Sequence, residues 1–147
     1  MRAAGATSVL LTSLVPFMWS PHADAPAAKT LTVVITGMRS DVGRVGVALY
    51  DSHRGFPYQL SQAVRTGFVD IHDRRSVITF RLLKPGTYAV TAFHDENNNN
   101  TLDRDWLGLL AEPTAVSNNL KRHIHRPAFD AAKFTMQDSL CVAIRFQ

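Results

Sequence analysis

An all-β chain, folded as an antiparallel β-sandwich of about seven strands, is the architecture expected of this sequence. Six or seven short runs alternate apolar with polar residues, the period of a half-buried strand, and turn-forming residues break them at short intervals. No stretch sustains the period of a long helix.

The start reads as an export signal. Arg2 supplies a small positive segment, a mostly apolar stretch covers residues 9–19, and two small-x-small sites follow, Ala23-Asp24-Ala25 and Ala25-Pro26-Ala27. Pro26 would stand just after the first cut, an arrangement signal peptidases disfavour, so cleavage is expected after Ala27. Residues 1–27 are thereby assigned to a signal peptide and residues 28–147 to one β-sandwich domain, long enough to bury a modest core. The apolar stretch contains Thr12, Ser13 and Pro16 and falls short of the roughly 20 residues that span a bilayer. The expected location is periplasmic or secreted, with no transmembrane segment after cleavage.

The strands follow in order. Residues 29–36 alternate Leu31, Val33 and Ile35 with Thr32, Val34 and Thr36. The turn Ser40-Asp41-Val42-Gly43 leads into residues 45–50, and these two runs are expected to pair as a hairpin. An irregular polar stretch with Phe56-Pro57-Tyr58 inside it leads to one helical turn near residues 60–64, a strand near 64–69 and the turn His72-Asp73-Arg74-Arg75. Residues 76–83 put Ile78, Phe80 and Leu82 on one face. Lys84-Pro85-Gly86 reads as a type II turn, because Pro presets its own φ and Gly accepts the positive φ of the next position. Residues 87–93 alternate Tyr88, Val90 and Ala92 with Ala89, Thr91 and Phe93. A further helical turn is expected at residues 129–133. Strands follow at 133–136 and 140–146, the last with Leu140, Val142, Ile144 and Phe146 on one face.

Charge and cysteine usage narrow the partners. The net charge is +4, but the basic residues are scattered, with clusters only at Lys121-Arg122-His123 and at His125-Arg126. A nucleic-acid protein concentrates its charge on one face beside a recognisable motif, so that class is excluded. Cys141 is the only cysteine, so stability must come from packing, with or without a metal. Its place in an apolar strand-like run is that of a small hydrophobe.

The chemistry-bearing segment follows Phe93: His94-Asp95-Glu96-Asn97-Asn98-Asn99-Asn100-Thr101-Leu102-Asp103. Counted from Asp95, oxygen-bearing side chains fall at loop positions one, three, five and nine, as Asp95, Asn97, Asn99 and Asp103. Thr101 at position seven would offer its backbone carbonyl. This spacing turns alternate oxygens toward a central Ca²⁺, and Leu102 at position eight would pack inward. Two positions depart from an EF-hand: Asn100 replaces the turn glycine and Trp106 the bidentate glutamate. Asn is the non-glycine residue that best accepts left-handed geometry. Asp105, Glu112 or water would supply the remaining ligands, and two certain carboxylates imply weak binding, on the order of 10⁻⁴ to 10⁻³ M. The competing reading is an Asn-rich solvated turn that binds nothing.

His94 could act as ligand or acid/base beside Asp95 and Glu96, but strand neighbours point to opposite faces, which favours a polar strand-end histidine. His53, His72, His123 and His125 fall in apparent loops, and two histidines such as His123 and His125 make a poor zinc site without a third ligand. No Ser-His-Asp order, phosphate loop or HExxH helix is present.

The run 83–90 (Leu-Lys-Pro-Gly-Thr-Tyr-Ala-Val), then Phe93-His94-Asp95-Glu96-Asn97, Leu102-Asp103 and Ser117-Asn118-Asn119 resembles the DUF2141 family of bacterial exported proteins. The likeness extends to Gly46-Val47-Ala48-Leu49-Tyr50, Pro127-Ala128-Phe129 and Ala132-Lys133-Phe134, and so spans nearly all of residues 28–147. It implies a secreted or periplasmic sandwich of the transthyretin/prealbumin-like or Ig-like kind and no particular activity. The family loop resembles Asp-Glu-Asn-Gly-Asn-Gly; here Asn98 and Asn100 stand at the two glycine positions, which bears on how tightly the loop winds.

The function expected from these residues is an exported, non-catalytic binding or accessory module with a Ca²⁺-ordered loop, acting on an envelope protein or glycan. Trp106, Leu107, Leu109 and Leu110 would form a recognition surface or, more in keeping with their composition, cap one end of the sandwich. The alternatives are a metal-dependent enzyme using a His94/Asp95/Glu96/Glu112 cluster, and a structural component of the envelope or cell surface.

Overall fold

The computed structural model describes residues 29–81, 83–120 and 126–147. The expected signal peptide at residues 1–27 and the basic and histidine cluster at residues 121–125 lie outside the described residues.

Among the described residues eight strands form: β1 (Thr30–Thr36), β2 (Arg44–Tyr50), β3 (Arg65–Asp70), β4 (Arg75–Arg81), β5 (Gly86–Asp95), β6 (Thr114–Val116), β7 (Phe134–Met136) and β8 (Leu140–Arg145). They make two sheets. One runs β4-β1-β8 and the other β3-β2-β5-β6, with β7 pairing the start of β5. All pairings are antiparallel except β1 with β8. The strand beyond the expected seven is β6, three residues whose apolar pattern is too short to read. Both expected helical turns form, at Leu60–Gln62 and at Phe129–Ala132.

The two sheets share one core. Leu31, Val33 and Ile35 from β1 meet Val45, Val47 and Leu49 from β2, with Phe80, Tyr88, Val90, Ala92, Met136, Ile144 and Phe146 around them. Each such aliphatic side chain contributes about 1.5–3 kcal/mol on full burial. This packing overturns the expected β1–β2 hairpin: the two strands face each other across the core instead of lying side by side. The link between them turns at Gly37 (φ 83°) and Gly43 (φ 81°), where a Cβ would lie 2.6 Å from the Phe146 carbonyl oxygen and 2.1 Å from that of Asp95.

The turn before β5 also departs from the expected type II geometry. Gly86 does not take a positive φ; it opens β5 and pairs with Met136, while the chain passes from one sheet to the other. Cys141 is exposed on the outward side of β8, opposite Thr32, while Ile144 and Phe146 on the other face reach the core.

The outer face of the larger sheet carries a second apolar cluster. Ala48, Tyr50, Ala89 and Val116 are covered by Phe56 and Ala132, with Leu60, Ala63 and Phe129 packed against them. Phe56 meets Tyr50 and Phe129 edge to face, with centroids at 5.4 and 5.7 Å. The Tyr50 hydroxyl donates to the Pro57 carbonyl at 3.2 Å, and Ser117 Oγ accepts from Val90 N and donates to the Ala132 carbonyl. Among the described residues no helix is long and apolar enough to cross a membrane.

Candidate functional site

The site is set by the end of β5. From Tyr88 to Asp95 every residue is buried, because both faces of this central strand are covered. Tyr88, Val90, Ala92 and His94 alternate toward the inter-sheet core, and Ala89, Thr91, Phe93 and Asp95 toward the outer face. His94 and Asp95 therefore diverge. His94 is buried against Phe146, its Nε2 lies 2.7 Å from the Val42 carbonyl oxygen, and its Nδ1 is 3.7 Å from Glu96 Oε1.

Register brings two further charges to Asp95. Arg44 of β2 lies directly opposite it. On the other side Phe93 pairs Thr114, and the bond from His94 N to the Pro113 carbonyl (3.0 Å) continues that register, so Glu112 comes opposite Asp95. Arg44, Asp95 and Glu112 form a row across the end of the sheet's outer face.

The loop winds above this row. Asp95 Oδ1 accepts the Asn99 N–H (3.1 Å) and Oδ2 the Asn100 N–H (2.8 Å). Asn97 Oδ1 accepts the Asn99 N–H at 3.0 Å, and Asn99 Oδ1 accepts the N–H and hydroxyl of Thr101 at 2.8 and 2.7 Å. Asp103 closes the cluster, accepting from Asn97 Nδ2 (2.7 Å), Asn99 Nδ2 (2.9 and 2.8 Å) and Thr101 Oγ1 (3.0 Å). Asn98 and Asn100, at the two positions expected to need glycine, take φ of 60° and 62°. The side chains of Asp95, Asn97, Asn99, Thr101 and Asp103 are thus drawn into one hydrogen-bonded group.

The electrostatics differ across it. Donors from Asn99, Asn97 and Thr101 hold the Asp103 carboxyl below its ordinary value. Burial pushes the Glu112 carboxyl above its ordinary value, the Asp103 and Asp95 charges push the same way, and the Asp103 N–H that it accepts opposes them. Glu112 Oε2 accepts the Asp103 N–H at 3.3 Å, while the buried Oε1 has no hydrogen-bond partner. Arg44 Nη1 reaches Asn100 Oδ1 at 3.5 Å.

Of the residues expected to complete the loop, Asp105 is turned away. Its Oδ1 accepts the N–H groups of Leu107 and Leu109, both at 2.9 Å, and rigidifies the next turn instead. That turn presents Trp106, Leu107 and Leu109 outward at 90, 61 and 62 % exposure, so these residues do not cap the sandwich. Leu102 and Leu110 are half-buried.

Among the described residues no three His, Cys, Asp or Glu side chains gather as a metal-binding group. The loop cluster is of another composition: two carboxylates, two amides and a threonine. The His94/Asp95/Glu96/Glu112 cluster is divided, since His94 faces inward, with Glu96 Oε1 3.7 Å from its Nδ1, while the Asp95 carboxylate turns into the loop to accept the Asn99 and Asn100 N–H groups. A cleft of about 210 Å³ lies at the sheet end, lined by His94 and Glu112 with Met38, Arg39, Leu110 and Phe146 among others, and no Ser, Thr, Cys or Lys lines it. Arg44 was not legible as a site residue, because only strand register brings it beside Asp95.

A family model described as an uncharacterized protein conserved in bacteria, DUF2141, matches residues 33–142. Comparison with curated proteins and with solved structures gives no match.

Proposed function

The chain belongs to the DUF2141 family, and from that premise we propose that it is an exported, non-catalytic binding or accessory module whose loop at residues 95–103 takes Ca²⁺. One observation carries the proposal: Asn98 and Asn100 sit in left-handed geometry, so the loop winds tightly enough to gather Asp95, Asn97, Asn99, Thr101 and Asp103. The Asn97 and Asn99 amide nitrogens donate to Asp103 while their Oδ1 atoms point into the turn and accept the Asn99 and Thr101 N–H groups, so an entering cation would displace the bonds to Asp103. Hard oxygen donors on a flexible loop suit Ca²⁺ better than Mg²⁺, which demands near-octahedral geometry, or Zn²⁺, which prefers nitrogen and sulfur.

Export rests on the Arg2, apolar and small-x-small pattern of residues 1–27. The finer architecture belongs to the same proposal: residues 28–147 as one sandwich of the transthyretin/prealbumin-like or Ig-like kind. The partner class is an exported envelope protein or glycan, met by the Trp106 turn, whose ring is held outward and free to stack.

A second reading has the cleft beside His94 and Glu112 in its favour and would make the protein a metal-dependent enzyme. The opposite facing of His94 and Asp95 weighs against it.

The test is thermal unfolding in EDTA and in millimolar Ca²⁺, with Asp95→Ala and Asp103→Ala alongside. The expected result is a Ca²⁺-dependent rise in melting temperature that both substitutions abolish. No rise at any millimolar concentration overturns the metal assignment and leaves an Asn-rich turn.

A further inference from the structure

Glu112 is the one buried acid at the site whose carboxylate is incompletely partnered. Only 7 % of the residue is exposed, Oε2 has a single long bond to the Asp103 N–H, and Oε1 has none. It joins no ion pair among the described residues. Arg44 lies on the far side of Asp95 in the cross-strand row and extends toward Asn100. The charges of Asp95 and Asp103 act on Glu112 from nearby, and a buried carboxylate oxygen without a donor is costly unless a cation or a proton meets it.

A calcium loop of this spacing normally ends on a bidentate glutamate at position twelve, where this chain has the exposed Trp106. We infer that Glu112 supplies that carboxylate from outside the loop, delivered by the segment leading into β6 and paired in register with Asp95. This rests on the reading of residues 95–103 as a Ca²⁺ loop. The arrangement has a mechanical consequence. Residues 104–111 are clamped between Asp103 and Glu112, and they are already closed on themselves by Ala111 N to the Asp103 carbonyl (3.0 Å), Asp105 N to the Leu109 carbonyl (2.8 Å) and the Arg104–Leu110 bridge. A cation held by both ends fixes the base of the turn that presents Trp106, so occupancy of the loop sets the attitude of the apolar tip.

Calorimetric titration of the full chain with CaCl₂, beside Glu112→Gln and Asp103→Asn, tests this. Wild type is expected to bind one Ca²⁺, and E112Q to bind on the order of tenfold more weakly or worse, since affinity follows the carboxylate count of the site. E112Q is also expected to melt in EDTA no lower than wild type, because the amide replaces an incompletely partnered carboxylate. Wild-type binding with E112Q unchanged within twofold overturns the role of Glu112 and leaves the loop assignment standing. A fall in the EDTA melting temperature of E112Q, or failure to fold, overturns it too, by making Glu112 a structural acid. No binding by wild type, with D103N indistinguishable from it, removes the loop assignment itself.

Discussion

The outer face of the larger sheet is covered twice, by opposite means. Over Ala48, Tyr50 and Ala89 lies an apolar lid built from Phe56, Leu60, Phe129 and Ala132. Over Arg44, Asp95 and Glu112, further along the same strands, lies a loop of amides and carboxylates. The lid gains from being buried whatever the solvent contains. The loop holds its shape through bonds among polar groups that water could satisfy equally well, each worth only about 1 kcal/mol net. The same backbone surface thus carries one cover that is unconditional and one whose stability depends on what neutralises its charges.

The strongest attack on this contrast is at the lid. Phe56→Ala is expected to destabilise the protein by about 3–5 kcal/mol, equally in EDTA and in Ca²⁺, measured by urea unfolding. A loss that Ca²⁺ repairs would mean that the two covers are not independent. Next in size is the effect of the cation on the loop. With affinity in the proposed range, roughly 10 mM Ca²⁺ should add about 1.4–2.7 kcal/mol to wild type by mass action and nothing to Asp95→Ala. Equal stabilisation of both, in paired thermal melts, would place the cation elsewhere.

Alkali should find the lid. Burial pushes the Tyr50 hydroxyl from 10.0 up to about 12, against the lowering influence of Arg126. An acid whose folded value is raised keeps its proton longer folded than unfolded. The stability this gives is complete below pH 10.0 and drains away as pH rises toward about 12. Tyr50→Phe should flatten the stability–pH curve in that window, and an unchanged slope would show that the hydroxyl is not sealed under Phe56. The smallest effect is expected where the loop bends. Asn98→Gly with Asn100→Gly relieves left-handed backbone but frees the unfolded chain, so the net change should stay under about 1 kcal/mol. A larger loss in chemical denaturation would show that these side chains do more than wind the loop.

What was readable in the sequence follows from range. Strand period is a local property, so Leu31, Val33 and Ile35, or Ile144 and Phe146, declare their buried face without knowledge of the rest. The loop was legible for the same reason, its winding resting on residues within one short segment. Which strands pair is decided by surface buried at a distance, and the link from Gly37 to Gly43 gives no sign that it crosses between sheets. The neighbourhood of Asp95 was therefore half visible. Asn97, Asn99 and Asp103 come from its own loop, and Glu112 could be named only as one ligand among several candidates. Arg44 required the register of β2. Composition does not tell the two sides of β8 apart: residues 140–146 are largely apolar, yet Cys141 lies on the uncovered side.

The parallel pairing of β1 with β8 has a temporal meaning. Thr30 and Ser139, joined by a hydrogen bond, are 109 residues apart along the chain. The middle strand of the smaller sheet waits for the last strand to exist, so its completion requires closing nearly the whole chain, a step that contact order makes slow. A chain ending before Leu140 should stay open and protease-sensitive in limited digestion, whereas the full chain resists. On the export proposed above, a smaller sheet that is completed only when the last strand has emerged would suit passage through a narrow translocation channel before folding.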